Sequence, residues 1–159
     1  MADAVSMRRA GPSDVAALVA LQREAYAWNR SVLGVEPLPL MADYAEVVAS
    51  KECWLAERET RLLGALILEP EAEALLIWSV AVAPAGQGEK LGRRLMDFAE
   101  ARARDQGFCA TALYTGQKLE KNIAWYQRLG YAITGIEVLA DRNIVHMKKP
   151  VTAKQRERV

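Results

Sequence analysis

"VAPAGQGEKLGRRLM", Val82 to Met96, leaves an apolar run, passes four small or ring residues from Ala83 to Gly86, and enters a basic amphipathic stretch. Small residues between a strand and a helix let the backbone approach a ligand closely. The N–H groups of the first helical turn have no partner inside the helix and point outward. Such a helix start favours anions, phosphate above all. Lys90, Arg93 and Arg94 add positive charge beside it, which makes a diphosphate the natural guest. A plain tight strand-to-helix turn is the other reading of the same glycines.

Just before this turn, "EALLIWSVAVA" (73–83) is nearly continuous apolar sequence, as expected of a central strand covered on both faces. From Gly88 to about Gln106 the residues Leu91, Leu95, Phe98, Ala99 and Ala103 form an apolar helical stripe, with Glu89, Arg93, Asp97, Glu100 and Arg104 on the other side. Gly107 is a helix stop, "FCATALY" (108–114) a strand, and "EKNIAWYQRLG" (120–130) a short helix ending at Gly130. "YAITGIEVLADRNIVHMKKP" (131–150) alternates around "ADRN", a closing hairpin.

Upstream, "AVSMRRA" (4–10) reads as a first strand, and Ser13 or Asp14 as the N-cap of a helix carrying Leu18, Leu21, Ala25 and Trp28 to about Asn29. "SVLGVEPLPL" (31–40), with Gly34, Pro37 and Pro39, reads as a loop, and 41–50 as a second short helix. "ECWLAER" and "RLLGALILE" are strands joined at "ERETR". The order β-α-α-β-β-β-α-β-α-β-β describes one mixed α/β domain over 1–150, followed by a charged tail, 151–159.

The chain has 159 residues, 52% of them apolar, which suits one sizeable core. Lys+Arg 21 against Asp+Glu 20 gives a net charge of +1, so bulk charge recommends neither nucleic acid nor an anionic membrane as partner. No span of 18 apolar residues occurs, and the apolar run between Asp14 and Arg23 is too brief for a signal peptide. A soluble, cytoplasmic protein is expected. Cys53 and Cys109 each lie in an apolar run without metal-ligand spacing, so buried reduced thiols and no metal are expected.

Two nucleotide motifs can be tested on the opening stretch. A Walker loop needs Gly-Lys-Ser/Thr four residues after a glycine, and none is present. Gly86, Gly88 and Gly92 form a loosened dinucleotide fingerprint, but that motif belongs at a first strand-to-helix turn with an acid closing the next strand. Here three strands come earlier, and the next strand ends "LYTG".

Taken with "NIAWYQRLGY" (122–131), the stretch resembles the GNAT superfamily of acyl-coenzyme A dependent N-acetyltransferases. The family's strand-to-helix signature reads V-x-P followed by (Arg/Gln)-x-x-Gly-x-(Gly/Ala). Val82, Pro84, Gln87 and Gly92 match it, and Lys90 stands where the first glycine usually sits. From the later family helix this sequence supplies Asn122, Tyr126, Gly130 and Tyr131, with Ala124 offset. "LYTGQKLEKNIAWYQRLGY" (113–131) is similar to a subgroup of small bacterial members.

The resemblance implies a mixed, mostly antiparallel, twisted sheet of about seven strands flanked by about four helices. It implies an N-acetyltransferase that passes an acetyl group from acetyl-coenzyme A to a primary amine of a small molecule or peptide, by direct attack in a ternary complex and without a metal. The coenzyme A pyrophosphate would lie on the backbone of Gln87, Gly88, Glu89, Lys90, Leu91, Gly92 and Arg93, and its pantetheine arm along Val80, Ala81 and Val82. Asn122 would bond the pantetheine or a water beside it, and Tyr126 would protonate the departing thiolate. Tyr26, Trp28 and Trp78 are candidate acceptor-binding residues on or near the segment from Tyr26 to Tyr44 and the central strand.

Related sequences often carry an acid just before the "xVAV" of the central strand, and here Trp78 and Ser79 stand there. Glu69, Glu71, Glu73, Glu137, His146 or a water chain are the alternatives for the base. The missing acid also motivates a second reading, a coenzyme A binding module without catalysis. A dinucleotide-dependent oxidoreductase is the third. The last hairpin is a candidate homodimer surface, a state common in the superfamily.

Overall fold

A computed structural model describes residues 4–86 and 90–152. Strands β1 (Ser6–Arg9), β2 (Glu52–Arg58), β3 (Arg61–Pro70), β4 (Leu75–Val82), β5 (Ala110–Gly116), β6 (Ala132–Val138) and β7 (Asn143–Pro150) form one sheet in the order β1-β2-β3-β4-β5-β7-β6. Helices are α1 (Val15–Ala25), α2 (Ala27–Leu33), α3 (Tyr44–Ser50), α4 (Leu91–Asp105) and α5 (Glu120–Arg128). β4 is the middle strand, as its apolar run predicts. It lies antiparallel to β3 and parallel to β5, and the other pairs are antiparallel. An antiparallel neighbour before the glycine turn removes the dinucleotide reading, which requires a parallel first unit.

Two cores sandwich β4. On one face Leu75 and Ile77 join Leu91, Leu95, Met96 and Ala99 of α4. On the other, Leu18 and Leu21 of α1 and Val47 of α3 meet Cys53, Ala65 and Ile67 of the sheet. Each fully buried leucine or isoleucine contributes about 1.5–3 kcal/mol of transfer free energy. Between these faces β4 carries a bulge. Ile67 of β3 lies opposite Ser79 while Leu68 lies opposite Ile77, which leaves Trp78 as the extra residue. Alternation therefore shifts by one, and Trp78 and Ser79 both face the α1 side while Val80 and Val82 pack on the α4 side.

Several expectations are corrected. The first helix bends at Tyr26 and continues as α2 through Leu33, where a loop was expected, because Gly34 at φ 70 is the first residue to break it. Asp14 does not cap α1 through its side chain; it accepts from the Gly11 N–H at 2.8 Å and pairs with Arg8 at 3.0 Å. The third helix starts at Tyr44, capped by the Asp43 carboxylate, and Leu38–Met41 before it is a 3-10 turn. α4 is described from Leu91, while Gly88 lies outside the described residues. Cys53 is buried as expected, but Cys109, at the bend just before β5, is exposed. Val151 belongs to the core rather than to a tail, and 153–159 lie outside the described residues. Among the described residues no helix is long and apolar enough to cross a membrane.

Glu100 also departs from the expected polar face of α4, being buried at 6% exposure. Its carboxylate accepts from Lys149 Nζ at 2.8 Å and from the Tyr131 hydroxyl at 3.4 Å, and that hydroxyl meets Thr111 Oγ1 at 2.7 Å. One side chain thus pins α4 to β5, β7 and the entry of β6. Glu100→Ala, which takes the carboxylate partner from Lys149, is expected to cost about 2 kcal/mol in denaturant unfolding.

Candidate active site

β4 and β5 pair only through Leu75–Thr111 and Leu76–Ala112. Beyond Leu76 that edge of β4 carries no strand among the described residues, and side chains from α1, α5 and the segment after α2 fill the gap. Two cavities result. A groove of about 300 Å³ runs along Val80, Ala81 and Val82 past Gly92 and Trp125. A cavity of about 90 Å³ lies among Trp78, Tyr114 and the Pro37–Pro39 segment. Tyr26, Asn29, Val80, Asn122 and Tyr126 line both, so these five side chains stand where the two spaces meet.

Each shared residue is placed by its element. Asn122 and Tyr126 are four apart on α5 and so share a helical face. Burial raises the Tyr126 phenol well above the usual tyrosine value, and Tyr26 and Tyr131 nearby add to the effect. Tyr26 sits at the α1–α2 bend, with its hydroxyl 2.9 Å from Ser79 Oγ, and burial pushes it up to about 12. Gln22, fully buried, donates from Nε2 to Ser79 Oγ at 3.0 Å and to the Tyr44 hydroxyl at 2.8 Å, and Tyr44 donates to the Pro39 carbonyl at 2.6 Å. A neutral hydrogen-bonded chain therefore runs from the core to the cavity wall. Trp78 packs edge-on to Tyr44 at 6.2 Å and carries Lys51 over its ring at 5.6 Å.

The glycine turn divides its tasks. Gly86 is buried, and a Cβ there would lie 3.3 Å from the Leu63 carbonyl, Leu91 and Val82, so its size serves packing. Gly92 faces the groove, and a Cβ there would lie 3.4 Å from the Trp125 ring. Lys90 adopts φ 59 at the start of α4, in the left-handed region that glycine occupies freely. Leu91 is buried at 2% exposure, so only its backbone can face a ligand, whereas Arg93 is exposed. Gln87, Gly88 and Glu89, the rest of the expected pyrophosphate cradle, lie outside the described residues.

Among the acceptor candidates, Tyr26 lines both cavities and Trp78 the smaller one. Trp28, 45% exposed, lines only the groove. The carboxylate and histidine candidates gather elsewhere. Glu71, Glu73, Glu137 and His146 border a separate open groove on the far side of Tyr114, with Glu137 and His146 2.9 Å apart, and Glu69 pairs with Lys51 at 2.9 Å. Tyr114, Trp125, Arg142, Gln22 and Asn29 were not expected at the site. The i, i+3 spacing of Asn122 and Trp125 was the one available signal, since the others depend on long-range packing. Among the described residues no group of three His, Cys, Asp or Glu side chains is placed to hold a metal ion.

An acetyltransferase-type sheet, opened between its parallel strands, is the class these features define. The sequence pattern of the acetyltransferase (GNAT) family matches residues 16–131, and the chain belongs to that family. It is similar to the mycothiol acetyltransferase of Cellulomonas flavigena, with 33% identity over 96 residues. That match covers 54% of this chain and 28% of the relative's length. Its fold is similar to the PaiA N-acetyltransferase of Thermoplasma acidophilum in complex with coenzyme A, with TM-score 0.76, 16% identity, and 92% and 99% of the two chains covered. It is also similar to a ribosomal-protein-alanine N-acetyltransferase of Escherichia coli, with TM-score 0.76, 15% identity, and 98% and 99% covered.

Two outcomes follow from these local environments. Lys90→Gly relieves left-handed strain and is expected to stabilise the fold by about 1 kcal/mol, read as a higher melting temperature. Burial raises Tyr26, Tyr44, Tyr126 and Tyr131 above the reference of about 10. As pH rises past that value, the unfolded chain releases these protons and the folded chain retains them. Stability is therefore expected to be unaffected by these groups below pH of about 10 and to fall above it, as a melting series in pH will show.

Proposed function

We propose that the protein is an acetyl-coenzyme A dependent N-acetyltransferase that acetylates the primary amine of a small molecule or peptide by direct attack in a ternary complex. The observation that carries this reading is the meeting of two cavities at Tyr126 and Asn122, one along the free edge of β4 and one against Trp78. The groove fits an extended pantetheine arm: Val80, Ala81 and Val82 offer strand backbone, Asn122 a side-chain amide, and Gly92 leaves room that a side chain would fill. Lys90 and Arg93 would favour the pyrophosphate at the start of α4. The coenzyme A in the similar Thermoplasma structure supports the assignment. A cytoplasmic setting accords with two free cysteines.

When bound, acetyl-coenzyme A supplies an activated thioester carbonyl. The amine nitrogen forms its bond to the acetyl carbon as the carbon–sulfur bond breaks; nitrogen gives up one proton and sulfur gains one. Tyr126, kept protonated by burial, is the donor to sulfur. Tyr26, fixed by Ser79 and Gln22, orients the amine from the other side. No carboxylate or histidine lines the smaller cavity among the described residues. The amine therefore reacts as the neutral form drawn from solution, and the proton it gives up returns through water to the Tyr126 phenolate.

That same lack of a base favours the second reading, a coenzyme A binding module without turnover. Thiol release with a panel of amines separates the two, because binding without amine-stimulated release supports only the module. For the enzyme, Tyr126→Phe is expected to lower kcat about 100-fold while the Kd for coenzyme A, read by calorimetry, changes about twofold or less. kcat/KM is expected to rise with pH to the acceptor's own pKa and to show no alkaline fall from Tyr126 up to pH of about 10.

A further inference from the structure

Arg142 lies in the turn between β6 and β7, yet its side chain is only 7% exposed. It stands between the 90 Å³ cavity and a smaller one of about 50 Å³ bordered by Leu33 and Lys118. Nη1 donates to the Glu36 carbonyl at 2.6 Å, while Nε and Nη2 donate to the Asp141 carboxylate at 3.1 and 3.0 Å. These bonds strap the segment after α2 to the β6–β7 turn beside the cavity. Leu33 of α2 closes down on the end of β5 as well, with its Cδ2 2.6 Å from where a Cβ on Gly116 would stand.

Size and charge follow from the strap. At about 90 Å³ the cavity is a few water volumes in size, which suits a compact group. The strap and Leu33 narrow the cavity on the side where a longer acceptor would have to continue. Arg142 is also the single charged residue lining this cavity among the described residues. A guanidinium has five N–H donors. The contacts above use three, one each on Nε, Nη1 and Nη2, and the remaining two have no partner among the described residues. Asp141 is 57% exposed, so the negative end of the pair stands in water while the guanidinium borders the cavity.

Resting on the acetyltransferase reading, we infer that the acceptor is a compact primary amine bearing an anionic group, which the free N–H donors of Arg142 receive, and that the Arg142 strap excludes peptide and protein amines. A carboxylate or a phosphate matches the planar fork. A second ammonium, as on a diamine, meets the guanidinium with like charge and finds no carboxylate in the cavity to offset it.

The test compares kcat/KM, by thiol release from acetyl-coenzyme A, for free alanine, 2-aminoethyl phosphate, ethylamine, 1,4-diaminobutane and an alanine-terminated hexapeptide. At least one of the two anionic amines is expected to exceed ethylamine about 10-fold or more, as a charge-assisted hydrogen bond requires, with the diamine and the hexapeptide lowest. The two anionic arms tell carboxylate from phosphate. In Arg142→Gln the ratio of the preferred anionic amine to ethylamine is expected to fall about 10-fold. Should that variant unfold, Arg142→Lys, which keeps the cation but loses the fork, is expected to lower the ratio less. Parity of both anionic amines with ethylamine, best turnover of the diamine or hexapeptide, or an unchanged ratio in the folded variants overturns the inference and leaves acetyl transfer standing. No thiol release with any of the five overturns both.

Discussion

β4 and β5 run parallel for two residue pairs and then part, and the rest of the site depends on that separation. Parallel neighbours in the middle of a sheet ordinarily saturate each other's backbone along their length. Here Leu75 and Leu76 anchor the pair, and the bulge at Trp78 bends β4 away just beyond them. The freed edge is the stretch that a ligand backbone could join. The opening between the strands admits Tyr126 from one face of the sheet and Tyr26 from the other. Without the bulge, Ser79 would face α4, and the Gln22–Ser79–Tyr26 chain could not form.

Among the described residues, charges other than Arg142 stand around the two cavities rather than in them. Glu100 ties α4 to Lys149, and Glu52 ties the same helix to β2 through Arg102 at 2.7 Å. These contacts, partly shielded from water, hold the C-terminal half of α4 to the sheet. Close packing sets the spacing. A Cβ at Gly64 would lie 3.0 Å from the Ala81 carbonyl and 3.3 Å from Leu91 and Leu95, so β3, β4 and α4 approach to a distance that no larger residue permits. Phenols, amides and one clamped guanidinium then make up a centre poor in ionised groups. Low polarity of this kind keeps Tyr126 protonated and strengthens every hydrogen bond made there.

Strand and helix identity follow from local pattern, and most elements lie where their periodicity puts them. β4 is central because an unbroken apolar run suits a strand with two covered faces, and both cores do meet on it. Gly107 and Gly130 adopt the positive φ their positions demand, 82 and 101. Lys90 adopts 59, in the left-handed region that a glycine occupies freely. Patterning fails where tertiary partners decide. Glu100 reads as a surface residue on α4 until Lys149 and Tyr131, far along the chain, enclose it. The segment from Ser31 to Leu33 reads as loop until Leu33 packs against Leu119 and Gly116, making a second helix worthwhile.

Local pattern was enough for the order of the seven strands, the apolar middle strand, the small-residue turn into a helix, and the pair Asn122 and Tyr126 on one helical face, though not for α2. All of these rest on spacing within a few residues, where backbone geometry alone relates one side chain to the next. Three features come from packing alone: Trp78 and Ser79 share a face, Gln22 reaches Tyr26 through Ser79, and Arg142 closes on the Glu36 carbonyl. The first needs a register shift between two strands, and the others join positions 57, 53 and 106 residues apart. Contacts at that separation are set by how whole elements pack, and no local period carries them.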